Sequence, residues 1–367
     1  MIRRYLPKDV RELVHWYERY ISPIALVAGF LADNYILLRR VDLLQSNLLL
    51  FSYLVIAAGG IMLINLVETG RLRYQWILKI APLISVVVQF AFGGLLSGYL
   101  SLYSRSAAFP LSWIFVVLLA LLLLGNERFT RFYARFSFQI SLYFFVLFSF
   151  LIFFLPVVLR QIGPLIFVIS GLTAVAVIAF YLRLLGFFVP ELLKKDRTKV
   201  ARSIAIIFVI FNALYFLGAI PPLPLSLKDA GVYHNVVRNL DGSYVLLEEP
   251  VPWYEAFLRY STAFHRASDE PVYVFSAVFA PSGLSTIILH EWQRYDQIAN
   301  EWVTVNTEQF PIIGGRDGGY RGYSFMANLM VGKWRVNVIT QYGQLIGRIS
   351  FTIVDVETPV FLEESVH

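Results

Sequence analysis

Five histidines, several carboxylate pairs and one glycine-dense stretch are the residues of this chain that could do chemistry. His15, His234, His265, His290 and His367 are scattered, with no HxxxH or HExxH spacing among them. The "HEW" at His290 lacks the second histidine that a zinc-binding helix needs one turn on. The chain has no cysteine, which excludes disulfides, thiolate metal ligands and cysteine nucleophiles. Glu248/Glu249 and Asp269/Glu270 are adjacent acids; in a strand such neighbours point to opposite faces, so they do not form the facing pair of a glycosidase. No GxSxG elbow is present to raise a nucleophilic serine. The stretch "GGRDGGYRGYS" (Gly314–Ser324) invites a phosphate-cradle reading, but such loops follow a strand and open a helix. This one leads into alternating strand residues and lacks GK[ST] and GxGxxG. Gly314, Gly315, Gly318 and Gly319 are expected to supply positive φ for a wide hairpin turn. No catalytic residue, cofactor or metal site is expected.

The elements that hold these residues divide the chain sharply. Apolar residues make up 57% and charged residues 15%, against about 45–50% and about 25% in soluble proteins. A membrane-crossing helix needs roughly 20 apolar residues. Six uncharged runs qualify: Leu48–Val67, Ile80–Ser104, Ala107–Gly125, Phe136–Leu159, Gln161–Leu182 and Ser203–Leu227. A seventh, Ile21–Leu38, carries Asp33 and Asn34 near its end. The organisation expected is a cytosolic amphipathic segment over 1–20, a multispan domain of about seven transmembrane helices over 21–227, and an all-β antiparallel sandwich over 228–367. The first twenty residues are too charged for a signal peptide, and no small-residue cleavage site follows.

Charge sets the orientation and excludes one partner class. Residues 1–227 hold 21 Lys/Arg and 9 Asp/Glu, and residues 228–367 hold 10 and 16. An acidic C-terminal half repels phosphate backbones, so nucleic acid is not expected. With the N-terminus inside and seven spans, cytosolic segments hold 17 Lys/Arg and outer loops hold four. That bias places the N-terminus in the cytoplasm and the β domain outside it. A re-entrant Ile21–Leu38 would turn the Lys194–Arg202 cluster outward, against the same rule. That cluster is expected to touch anionic lipid headgroups. Asp33, Asn34 and Asn65 form a candidate intramembrane polar site for a cation or proton. Asp33 also stands close enough to Arg39 and Arg40 to pair with them at the interface.

In the C-terminal half, "AIPPLPLSLKDAG" ends the last span with prolines that cannot continue a helix. Seven strands follow by alternation and turn signals ("LDGS", "APSG", "QYGQ"): Tyr244–Leu247, Val272–Ala280, Leu284–Arg294, Trp302–Ile313, Tyr320–Asn328, Lys333–Gln341 and Leu345–Val354. A short helix is expected around Trp253–Phe264. Alternation puts Trp334, Val336 and Val338 in the core, with Lys333, Arg335 and Asn337 opposite. It turns Ile287 and Leu289 inward, leaving Ile288, His290, Trp292 and Arg294 on the polar side. Trp302, Thr304 and Asn306 look outward, opposite Val303 and Val305. Trp292 and Trp302 would then face each other across a hairpin, either bracing the sheet or forming a stacking platform. The candidate partner-binding face is Trp292, Arg294, Trp302, Tyr320, Arg321 and Arg335.

The runs "HEWQRYDQ", "VTVNTEQFPI" and "GGYRGYSFMANLMVGKWRVNVITQYGQLIGRISFTI" resemble the bacterial domain of unknown function 2914 family. The marks of that resemblance are His290–Trp292, Arg321–Ser324, Gly332–Val336 and Gly343–Phe351. "LLLLGNERF" and "IPPLPLSLKDAGVYHNV" are similar to its membrane-bound subgroup. The resemblance implies the domain boundary, and no activity, substrate or catalytic residue; the location expected from the spans is the bacterial plasma (inner) membrane. The expected function is a membrane protein displaying a β domain that binds an envelope polymer, glycan or protein partner. The alternative is a transporter or membrane-embedded enzyme acting on a lipid-linked substrate, with the β domain as accessory.

Overall fold

The computed structural model describes residues 30–32, 38, 40–106, 109–126, 135–250, 261–267, 270–358 and 360–367. The segment 1–20, Asp33, Asn34 and most of the expected first span lie outside the described residues; residues 30–32 of that span are helical. The chain forms a helical unit of Met1–Arg105 and Ser112–Ile220 and a β-rich unit of Pro221–His367, with which the short stretch Ser106–Leu111 is grouped.

Six helices with described bounds make the first unit: α1 (Leu44–Glu68), α2 (Gln75–Ser106), α3 (Phe109–Asn126), α4 (Phe136–Leu159), α5 (Pro164–Phe188) and α6 (Pro190–Phe216). Each of the six uncharged runs falls on one of them. All but α3 are long and apolar enough to cross a membrane. Proline sits in the first turn of α5 and α6, where its missing N–H costs nothing. The expected last span is displaced: α6 begins at Pro190, so the Lys194–Arg202 cluster is itself helical, and the helix stops at Phe216 before the positive φ of Gly218. Helix continuity depends on backbone hydrogen bonds and not on apolarity, which is why a charged run can open a helix whose later turns are apolar.

Over its most apolar stretch α4 is 72% buried and α6 only 11%, so α4 is the centre of this unit. Its Phe148 stacks on Phe211 of α6, with ring centroids 4.6 Å apart. Gly171 of α5 makes room for that stack, because a Cβ there would meet Phe148 and Phe208 at 3.0 Å. Each such aromatic pair contributes about 0.5–1.5 kcal/mol beyond its burial.

Among the described residues the second unit holds eleven strands, β1 (Ser226–Tyr233), β2 (Asn235–Arg238), β3 (Tyr244–Glu248), β4 (Ser261–Arg266), β5 (Val272–Phe279), β6 (Ser285–Asp296), β7 (Glu301–Ile313), β8 (Tyr320–Met326), β9 (Gly332–Thr340), β10 (Leu345–Asp355) and β11 (Glu363–Val366). All seven expected strands are present. The expected helix around Trp253–Phe264 is corrected at its end: Ser261–Arg266 is a strand, and the residues before it lie outside the described set. Among the described strands the pairing is antiparallel with one exception, β4 running parallel to β10.

Three sheets result, in the orders β1-β5-β8, β4-β10-β9-β6-β7 and β11-β3-β2. Strand β5 is covered on both faces. Its Ser276 hydrogen-bonds His290 of β6, while Phe275 and Ala277 pack with Tyr233, Val236, Tyr244 and Leu246 under the small third sheet. A strand buried on both sides has no solvated face to show, hence the run "VFSAVF", in which Ser276 is the one polar residue.

Candidate functional site

Strands β6, β7, β9 and β10 place alternate residues on opposite faces of the five-stranded sheet. On the face away from β5, Asn337 of β9 stands between Glu291 of β6 and Arg348 of β10. Arg335 stands between Gln293 and Ser350 in the same two strands, while Gln293 and Tyr295 face Thr304 and Trp302 of β7. Gln293 and Asn337 are buried, Glu291, Trp302, Arg335 and Arg348 are half-buried, and Thr304 and Lys333 are exposed.

These side chains form one hydrogen-bonded array. Asn337 Nδ2 donates to Glu291 Oε2 at 2.8 Å and to Gln293 Oε1 at 3.2 Å. Arg335 Nε donates to Gln293 Oε1 at 2.6 Å, and Arg348 Nε to Asn337 Oδ1 at 2.7 Å. Gln293 Nε2 donates to Thr304 Oγ1 at 3.0 Å, which in turn donates to Glu291 Oε1 at 3.2 Å. The Arg335 guanidinium lies over the Trp302 ring, 4.2 Å from its centroid, and Lys333 lies 6.0 Å from the Tyr295 centroid. Burial and the charge of Arg348 pull the Arg335 guanidinium down to about 10, with Glu291 opposing. Burial also lowers Arg348, again against Glu291.

The opposite face of β6 is neutral and closed. His290 Nε2 and Nδ1 lie 2.8 Å from the hydroxyls of Ser276 and Ser324, and the Trp292 indole N–H donates to Ser324 Oγ at 3.0 Å. His290 and Trp292 are fully buried. Burial lowers the His290 imidazole to about 3, so it is uncharged at neutral pH.

A third cluster joins four elements at the other side of the unit. His234, between β1 and β2, holds Glu270 Oε1 at 3.0 Å from Nδ1 and Glu249 Oε1 at 3.3 Å from Nε2. Glu249 also accepts from the His265 backbone N–H and contacts His265 Nδ1, both at 2.7 Å. Only a charged imidazolium donates from both nitrogens. Burial opposes that charge, but the bonds to Glu249 and Glu270 outweigh it and raise His234. Burial would raise Glu249; the two histidines lower it instead. Among the described residues no His/Asp/Glu group has metal-ligating geometry.

Several sequence expectations change place. Trp292 is not on the solvated side: Thr286, Ile288, His290 and Trp292 are buried, and Ile287 and Leu289 are the less buried set. Three consecutive apolar residues, Ile287–Leu289, fit either parity, and the polar tips of His290 and Trp292 are satisfied inside by serines. Trp302 therefore meets Tyr295 (centroids 5.2 Å apart), not Trp292, and a register shift sets Asn306 opposite Trp292. Val303 and Val305, expected inward, are 41% and 49% exposed on the edge strand β7. Arg294 lies opposite the buried Trp334 and contacts the Met330 sulfur, while Tyr320 and Arg321 belong to the other sheet. Of the six residues expected to form one face, only Trp302 and Arg335 come together. The alternation of β9 holds: Trp334, Val336 and Val338 are core.

The glycine stretch is likewise reassigned. It joins β7 of one sheet to β8 of another, so it is a crossover and not a hairpin turn. Gly315 and Gly319 have positive φ (110° and 84°); Gly314 and Gly318 do not. Gly314 is needed for a different reason, since a Cβ there would lie 1.9 Å from the Pro281 carbonyl oxygen. In the helical unit, Asn65 is fully buried and donates to Gln139 Oε1 and the Ile61 carbonyl, both at 2.7 Å.

Sequence reasoning missed Glu291, Gln293 and Arg348. The outward parity of Arg348 with Ser350 was readable from "GRISF"; the strand register that gathers the array was not.

Residues 285–353 match the family model described as "Protein of unknown function (DUF2914)". The match runs from the first residue of β6 into β10, and so spans every strand that contributes to the outer-face array. No curated protein matches the chain.

Proposed function

We propose that this chain, which carries the DUF2914 segment on the strands of its polar array, is a bacterial plasma-membrane protein that displays a β-sandwich outside the cytosol and binds an envelope polymer, glycan or protein partner there. The observation that carries the reading is the outer face of the five-stranded sheet, where aromatic rings, guanidinium groups and amides are held in fixed positions on rigid strands. In this reading the β1-β5-β8 and β4-β10-β9-β6-β7 sheets are the two layers of the sandwich, and β11-β3-β2 is an added third. Helices α1–α6 and Ile21–Leu38 are the seven spans. The excess of 17 cytosolic Lys/Arg over four in the outer loops sets the N-terminus inside.

Two measurements test the proposal. The chain has no native cysteine, so Leu240→Cys should label with a membrane-impermeant maleimide in intact cells while Thr198→Cys should not; the reverse pattern overturns the orientation. The full chain in detergent micelles should retain fractions of envelope polymer, and Trp302→Ala should retain them several-fold less. Undiminished retention by that variant would remove the face from the proposal.

A further inference from the structure

We infer that Arg335 and Arg348 form an anion site, and that the ligand of the outer face is an acidic polysaccharide whose sugar carboxylates seat on the two guanidinium groups. The inference rests on the binding role proposed above and narrows it to one ligand chemistry.

Both guanidiniums are anchored through Nε alone, and each to a neutral amide oxygen, Gln293 Oε1 at 2.6 Å and Asn337 Oδ1 at 2.7 Å. Their Nη groups make no hydrogen bond, and neither arginine makes an ion pair, among the described residues. A guanidinium normally pairs two parallel N–H groups with a carboxylate. The one acid of the array, Glu291, instead directs its oxygens to Asn337 and Thr304. Two like charges are thus held close enough for Arg348 to depress Arg335, with only partial compensation from Glu291. A carboxylate seated on the pair would supply the missing acceptor and relieve the repulsion.

The surroundings favour a sugar polymer over a free anion. Exposed Lys333 adds a third cation over the Tyr295 ring, inside a half of the chain with 16 acids and 10 Lys/Arg. This local reversal of sign selects an anionic ligand. Trp302 and Tyr295 border the cations with apolar ring surface, and Thr304 and Gln293 add polar groups beside them. A uronate residue presents the matching combination, an apolar ring face, hydroxyls and one carboxylate.

The test uses the full chain in detergent micelles, titrated calorimetrically with alginate oligomers, with neutral dextran and with polyglutamate. Alginate should bind, more weakly as salt rises, and dextran and polyglutamate at least tenfold less well. Arg335→Gln and Arg348→Gln should each weaken alginate binding about tenfold, with a small fall in melting temperature because each takes a donor from a buried amide. Glu291→Gln should tighten it several-fold, an outcome that misfolding cannot produce. Alginate binding unaltered in the double arginine variant would overturn the site, and polyglutamate binding as tight as alginate would overturn the sugar class. Dextran binding equal to alginate would remove the acidic ligand yet leave the broader role standing, whereas no binding to any of the three polymers would overturn the acidic-polysaccharide site and leave the broader role to the retention measurement above.

Discussion

The two faces of the five-stranded sheet use the same strands and similar residue types but finish their hydrogen bonds differently. On the inner face His290, Trp292, Ser276 and Ser324 satisfy one another at 2.8–3.0 Å and stay neutral. On the outer face the amides and hydroxyls are satisfied, while the arginine Nη groups have no protein hydrogen-bond partner among the described residues. Buried polar groups must be paired, since an unpaired one costs about 1–3 kcal/mol. A solvated face is under no such demand and can keep donors for a ligand. Polarity alone therefore does not mark a site; what marks it is donor capacity left over once the local network has closed.

The largest expected effect breaks the comparison at its tryptophans. Trp292→Ala removes a fully buried ring and leaves the Ser324 hydroxyl short of a donor, at a cost of about 3–5 kcal/mol. Trp302→Ala, on the half-buried outer side, should cost less than about 1 kcal/mol. Thermal unfolding of the full chain in micelles checks both, and equal losses would mean that the two faces do not differ in kind.

A smaller effect sharpens the same contrast through pH. His290 is lowered in the folded state, so its stability contribution is complete above about pH 6.5 and falls as pH drops toward about 3. His234, held by Glu249 and Glu270 and stacked on Phe264 at 4.3 Å, is raised. Its contribution is complete below about pH 6.5 and is lost as pH climbs through its folded value. Among the described residues His265, which shares Glu249, also faces this cluster. Unfolding midpoints against pH should thus decline on both sides, and His234→Gln should flatten mainly the alkaline limb, with a smaller change on the acid side because His234 also helps to lower Glu249. If it flattened the acid limb instead, the assignment of neutral and charged histidines would be reversed.

Much of the architecture was legible because it rests on local pattern. The uncharged runs landed on helices and the alternating runs on strands. The strands that were missed are instructive: β1, β2 and β11 are short or carry charge, and "STAFHR" of β4 has no alternation a helix could not share. The candidate site was legible only in part. Trp302 and Arg335 declared themselves through alternation within their own strands. Their union with Gln293, Asn337 and Arg348 depends on pairing across four strands and on the register shift beyond Trp292. Register is set by long-range packing, which no single stretch encodes.

The small third sheet has a kinetic consequence. Strand β11 pairs with β3, and the His367 and Tyr244 backbones exchange two hydrogen bonds of 2.9 Å. Without β11, β2 and β3 are a two-stranded hairpin, too small to persist alone in water. The cover over Phe275 and Ala277 is thus completed by a strand more than a hundred residues further along the chain from β3. Contacts of that separation form slowly. Until they form, the outer side of β5 is an apolar surface open to unintended partners, and the interval before closure is when this unit is most exposed to aggregation.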